Sequence, residues 1–147
     1  YTYSCLAIQG YRDGLAAAGL PFDPALEVEC FLSRRTGEEV VTELYAGGAG
    51  PTALFCGNDL IAISAMEGLR RLGLRPGTDV ALIGCDDIPQ AAFLRPALTS
   101  FSQDLGSIGL RIGRMVLARL GGDQTLVQNI IDAQLVLRES DCPWSTS

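Results

Sequence analysis

Two short apolar runs, each ending abruptly in side chains rich in hydrogen-bond acceptors, constrain the fold of this chain more than any other feature. Residues 80–83 read Val-Ala-Leu-Ile and run into Gly84, Cys85, Asp86, Asp87, Ile88 and Pro89. An unbroken apolar run of this length predicts a strand covered on both faces of a parallel sheet. Gly84 permits a close backbone approach, and Pro89 blocks further pairing. The earlier run, Pro51-Thr52-Ala53-Leu54-Phe55, ends likewise at Cys56, Gly57, Asn58 and Asp59. Residues 60–72 between them have a helical pattern that stops at Gly73. Strand, helix, strand is a βαβ crossover, so both strands should end on one edge, where open parallel sheets bind ligands.

The flanking segments fit an α/β chain. Residues 6–18 predict a helix with an apolar stripe of Leu6, Tyr11, Leu15 and Ala18, closed by Gly19. Pro21 to Pro24 is a turn, and residues 26–32 are β-compatible, an expected outer strand. Thr36 and Glu39 have capping-box spacing, predicting a helix to about Tyr45, broken by the glycines before Pro51. That glycine loop precedes a strand, so it is no dinucleotide-type phosphate cradle. Residues 88–96 predict a loop or single helical turn, and 98–102 a short strand. Residues 104–120 give the strongest helical pattern, with Leu105, Ile108, Ile112, Met115, Val116 and Leu120 in one stripe. That stripe is expected to serve core or interdomain packing. After Gly121 and Gly122, alternation at Ile131, Ala133, Leu135 and Leu137 predicts a half-buried strand, and residues 141–147 a frayed tail.

A chain of 147 residues, 48% hydrophobic and 19% charged, suits one globular domain. Its net charge of −6 should repel phosphate backbones, which argues against nucleic-acid binding by this piece itself. No apolar run approaches the ~20 residues of a membrane span. The chain starts with Tyr1 and shows no basic-then-apolar leader, so a fragment of a longer, cytoplasmic protein is expected. Five cysteines at long spacings, with no CxxC, indicate neither a disulfide framework nor a zinc site. Reduced thiols are the expectation, with Cys56 and Cys85 acting as small hydrophobes at strand ends.

Asp86 and Asp87 are a candidate catalytic or metal-binding pair, since hydrolysis and magnesium both use positioned carboxylates. The chain has no His to serve as base or ligand, and no Gly-x-Ser-x-Gly elbow, so ligand binding is the favoured reading. Adjacent Asp side chains point apart, allowing one to face the crevice while the other caps a turn. Asn58 and Asp59 precede a helix and are favoured N-caps, so one should cap it and the other face the crevice. Asn58, both donor and acceptor, suits a polyol or a base edge.

The stretches 51–59, 73–80 (Gly-Leu-Arg-Pro-Gly-Thr-Asp-Val) and 83–89 (Ile-Gly-Cys-Asp-Asp-Ile-Pro) resemble the LacI/GalR, or lactose-repressor, family of bacterial transcription regulators. Pro96 to Thr99, Gln103 and residues 135–140 (Leu-Val-Leu-Arg-Glu-Ser) extend the similarity, with weaker likeness at Gly10-Tyr11 and Gly37. The resemblance implies a type I periplasmic-binding-protein-like fold, here mostly the C-terminal lobe, with a parallel sheet flanked by helices. It implies a partial effector-binding domain over residues 1–147, with the N-terminal helix-turn-helix and most of the first lobe absent.

Carried over residue by residue, the family's effector contacts fall on Asn58 and Asp86, with Gln103 at the crossing between lobes. Two positions depart from its usual pattern. Ala7 stands where an Arg is common, and Leu32, also a candidate ligand contact, where an aromatic is common. The resemblance further implies a homodimer surface from Leu60, Ile61, Ser64, Phe93 and Leu94. The expected function is non-enzymatic. A sugar or related small polar metabolite is sensed, without cofactor or metal, to control operator binding by the absent headpiece. Two alternatives stand beside it: a solute-binding protein of a transporter, and a carboxylate-dependent enzyme.

Overall fold

Parallel pairing of the two apolar runs builds the sheet. The computed structural model describes residues 2–30, 36–125 and 130–141. Strand β1 (Ala53–Phe55) pairs in parallel with β2 (Ala81–Cys85), Ala53 lying opposite Ala81 and Phe55 opposite Ile83. Strand β2 pairs in parallel with β3 (Thr99–Ser102), with Gly84 opposite Ser100. Strand β4 (Gln134–Val136) runs antiparallel along the outer edge of β3, giving the order β1-β2-β3-β4. Among the described residues, four α-helices accompany it: α1 (Thr2–Ala17), α2 (Gly37–Leu44), α3 (Asp59–Arg71) and α4 (Leu105–Leu120). A 3-10 turn at Pro89–Phe93 follows β2, where a loop or single turn was expected.

The crossover helix α3 makes the core. Ala62, Ala65, Met66 and Leu69 from α3 meet Val41 of α2, Leu82 of β2, and Val80, Ala91 and Leu98. Each fully buried Leu, Met or Val contributes roughly 1.5–3 kcal/mol. Helix α2 packs closely on α3 because glycine stands where they cross. A Cβ at Gly37 would run into the Ile61 carbonyl, and one at Gly68 would meet Glu38 Cα at 2.9 Å. The predicted capping box starts α2: the Thr36 N–H donates to Glu39 Oε2 at 2.7 Å and the Glu39 N–H to Thr36 Oγ1 at 3.3 Å.

Three sequence expectations need correction. Residues 26–32 do not add an outer strand: Leu26 ends a 3-10 turn, 27–30 have no regular structure, and 31–32 lie outside the described residues. Glu27 donates its N–H to Pro24 and takes a two-pronged bond from Arg12 of α1, which ties the stretch to α1 instead of to a ladder. The last strand is shorter than predicted, and its inward phase is reversed. Leu135 and Leu137 are exposed, whereas Val136 and Arg138 are half-buried and Ser140 is fully buried. Polar anchoring sets that phase: Ser140 Oγ donates to Leu82 O at 2.6 Å and accepts the Thr99 N–H at 2.8 Å. The tail is therefore stitched through Asp141, which accepts from Thr99 Oγ1; residues 142–147 lie outside the described residues.

Candidate functional site

Because β1, β2 and β3 are parallel, the segments that follow them emerge on one edge. They carry Asn58 and Asp59, then Asp86 and Asp87, then Gln103. Asn58 is the N-cap of α3: its Oδ1 accepts the Ile61 N–H at 2.8 Å. That cap uses the oxygen, and the half-buried carboxamide keeps its NH2 for other partners. Asp59 does not face the crevice, as the sequence had suggested for whichever residue was not the cap. Fully buried, it accepts Ser100 Oγ–H at 2.6 Å and the Ile88 N–H at 2.8 Å.

The two Asp side chains point apart, but the inner one pairs with Arg138 instead of capping a turn as expected. Asp86 is exposed, with its backbone at φ 114°. Partial burial, and secondarily the charge of Asp59, push its carboxyl above the ordinary aspartate range. Asp87, at φ 51°, turns inward and takes a 2.6 Å bond from the Arg138 guanidinium. Arg138 also donates to Leu98 O at 2.6 Å, and both partners of this pair are mostly shielded from water. Cys56 and Cys85, at the ends of their strands, are buried thiols, and burial pushes Cys56 up to about 12. A thiol so shifted is inert as a nucleophile.

Gln103 is half-buried between β3 and Asp104, the N-cap of α4. Leu32 lies outside the described residues. Of the five interface candidates, Leu60 and Phe93 are exposed. Ile61 and Leu94 pack against this chain's own core, and Ser64 Oγ accepts the Glu38 N–H from α2 at 3.1 Å. Sequence reading passed over Ser100 and Arg138. A hydroxyl midway along a short buried strand was the available signal for Ser100, since such a group must find partners. Among the described residues, no group of three or more His, Cys, Asp or Glu is placed to hold a metal ion. The edge therefore offers an exposed carboxylate and carboxamides, which suit hydrogen bonding to a polar ligand.

Comparison with known proteins gives a consistent picture. The periplasmic binding protein-like domain family matches residues 1–140. The HTH-type transcriptional regulator CelR of Thermobifida fusca is 32% identical over 134 residues, covering 90% of this chain and 39% of that protein. The chain thus spans about two-fifths of the length of the curated relatives it matches. Among solved structures, a complex of the transcriptional regulator CelR with cellobiose aligns with TM-score 0.82 and 32% identity, over 90% of this chain and 41% of the other. The lac repressor dimer bound to operator and the anti-inducer ONPF aligns with TM-score 0.68 and 27% identity, over 73% and 37%.

Proposed function

The chain belongs to the periplasmic-binding-protein-like effector domains of the LacI/GalR regulators, and from that premise we propose that it senses a small polar metabolite for a bacterial transcription regulator. The fold is α/β with a largely parallel sheet, and the relatives are regulators and repressors of transcription, not enzymes. The observation that carries the reading is Asp86, an exposed carboxylate held in left-handed backbone at the carboxyl edge of β2. Asn58 and Gln103 stand on the segments that leave β1 and β3 at the same edge. This acceptor-rich set suits a sugar or a related hydroxylated metabolite. In this reading residues 1–147 are mostly the C-terminal lobe, and Leu32 remains a proposed ligand contact on the family resemblance alone.

The regulator's DNA contact lies outside this chain. A net charge of −6 opposes a phosphate backbone, so operator binding falls to an N-terminal helix-turn-helix. The protein works in the cytoplasm as a homodimer, and exposed Leu60 and Phe93 are the side chains of the candidate surface best placed to meet a second copy. Among the described residues, no helix is long and apolar enough to cross a membrane.

Calorimetric titration of cellobiose, then of a panel of sugars and nucleosides, into the native full-length protein tests the reading. Asp86→Ala should weaken binding of the accepted ligand by about 1.5–3 kcal/mol per lost charge-assisted bond. An unchanged dissociation constant in that variant would remove Asp86 from the site.

A further inference from the structure

The backbone at Asp86 and Asp87 is left-handed at two successive residues that are not glycine, with φ of 114° and 51°. Side chains with a Cβ avoid this region, so neighbouring groups must hold the loop there. Three successive N–H groups show how. Asp86 donates to Phe101 O at 2.9 Å, Asp87 to Ser100 Oγ at 3.1 Å, and Ile88 to Asp59 Oδ2 at 2.8 Å. The Ser100 hydroxyl joins the last two. Its single proton goes to Asp59 Oδ1 at 2.6 Å, leaving its lone pairs to receive Asp87. Ser100 and Asp59 are both fully buried, so neither can touch a ligand arriving from the crevice.

We propose that Asp59 and Ser100 are positioning residues, a buried carboxylate and hydroxyl relay that locks residues 86–88 and aims the Asp86 carboxylate at hydroxyl groups of the ligand. The aim rests on the reading of Asp86 as a ligand contact; the lock does not. Gly84 belongs to the same device, because a Cβ there would run into Asp59 Oδ1. The chemistry of the relay is directional. Two acceptor oxygens at Asp59 meet two donors, Ser100 Oγ–H and Ile88 N–H. A carboxamide has one acceptor oxygen, so Asp59→Asn can keep the Ile88 N–H bond only by turning its NH2 to Ser100 Oγ, which then receives where it had donated.

Amide hydrogen exchange followed by NMR tests the lock with no ligand present. In the unsubstituted chain Asp87 and Ile88 should be protected like strand amides, although they lie in a loop. Ser100→Ala should lower protection at Asp87 by about tenfold, as expected for one lost hydrogen bond, while Met66 and Leu69 in α3 keep theirs. Ser100→Thr, which keeps the hydroxyl, should restore it. Rapid exchange at Asp87 and Ile88 in the unsubstituted chain overturns the lock, as does equal exchange in all three. Should Ser100→Ala fail to fold, Asp59→Ala, which removes the acceptor of the Ile88 N–H altogether, supplies the same comparison at Ile88, where unchanged protection overturns it. Cellobiose titration into the native full-length protein tests the aim: Ser100→Ala should bind about tenfold more weakly, and equal affinity overturns it. Should the unsubstituted protein refuse cellobiose, the same comparison is made with the sugar or nucleoside of the panel that it does take up; refusal of the whole panel counts against the effector reading and the aim together, while the exchange comparison still decides the lock.

Discussion

Helices α3 and α4 have similar apolar periodicity and opposite environments. In α3 the stripe of Ala62, Ala65, Met66 and Leu69 is buried between α2 and the sheet. In α4 no residue is buried: Leu105, Leu110, Ile112, Val116, Leu117 and Leu120 are exposed, with Leu120 at 80%. An open groove of about 300 Å³ runs beside it, lined by Ile108, Arg111, Ile112, Met115 and Ile131. Periodicity assigns a helix its inner side; a partner decides whether that side is dry. The crossover helix finds its partner at once, because the strands before and after it enclose it. Helix α4 leaves the sheet after β3, and none of its residues is buried by the rest of the described chain.

The largest effect should therefore separate the two helices. Leu69→Ala is expected to cost about 2–5 kcal/mol, transfer plus cavity, at a fully buried site. Leu117→Ala, at a residue 70% exposed, should stay within about 0.5 kcal/mol. Urea unfolding of this chain gives both numbers. Comparable losses would mean that α4 is covered in solution, and the contrast would be void.

A smaller effect tests where the packed region ends. Arg138 follows an outer arm of the sheet formed by β4 and the exposed Leu137, yet it ties Asp87 to Leu98 O across the strand ends. Arg138→Ala should cost about 1.5–3 kcal/mol, because it strips a shielded carboxylate of a charged donor. Leu137→Ala, one residue earlier and exposed, should cost far less. Similar losses at both would place the arm within the packed unit.

This contrast also marks what the sequence could disclose. The βαβ unit, the α2 capping box and the strand-end placement of the Asp residues were legible, because each depends on local pattern and turn chemistry. That the two neighbouring carboxylates point apart was legible; that Asp87 pairs with Arg138 instead of capping a turn was not, because its partner lies 51 positions away. The phase of the last strand was not legible. Apolar alternation favoured Leu135 and Leu137, while the inner side is set by polar bonds that Arg138 and Ser140 make to residues about 40 or more positions away. Asp59 was hidden for the same reason. Its partners, Ile88 and Ser100, lie on two other segments, and no local pattern announces them.

Next in size is the start of α2, the short helix whose packing on α3 completes the buried side. Thr36→Ala removes the oxygen that accepts the Glu39 N–H and should cost about 1 kcal/mol. Thr36→Ser keeps the acceptor and should cost little. Thermal unfolding of the two variants checks the point. Equal stability of both with the parent would show that packing through Val41 alone maintains the helix.

The smallest effect concerns Asp86, and it carries the comparison from packing to function. Its carboxyl is raised above the usual 3.8, first by partial burial and then by the charge of Asp59 behind it. The folded chain therefore holds this proton more tightly than the unfolded chain does. The associated stability is present below the unfolded value and is lost as pH rises through the folded one. Ligand binding should run the other way. Only the ionised carboxylate accepts hydroxyl bonds at both oxygens, so affinity should be full at neutral pH and fall as the acid forms. Asp86→Asn removes the titration, and Asn tolerates positive φ well. At neutral pH that variant should unfold at slightly higher urea than the parent and bind its ligand more weakly, with a flatter pH profile. Stability and affinity measured together from about pH 3 to 7, a window spanning the carboxylate range, decide it. If both fall together on substitution, Asp86 is a packing residue like Leu69; if stability rises while affinity falls, the exposed edge keeps a costly charge for recognition.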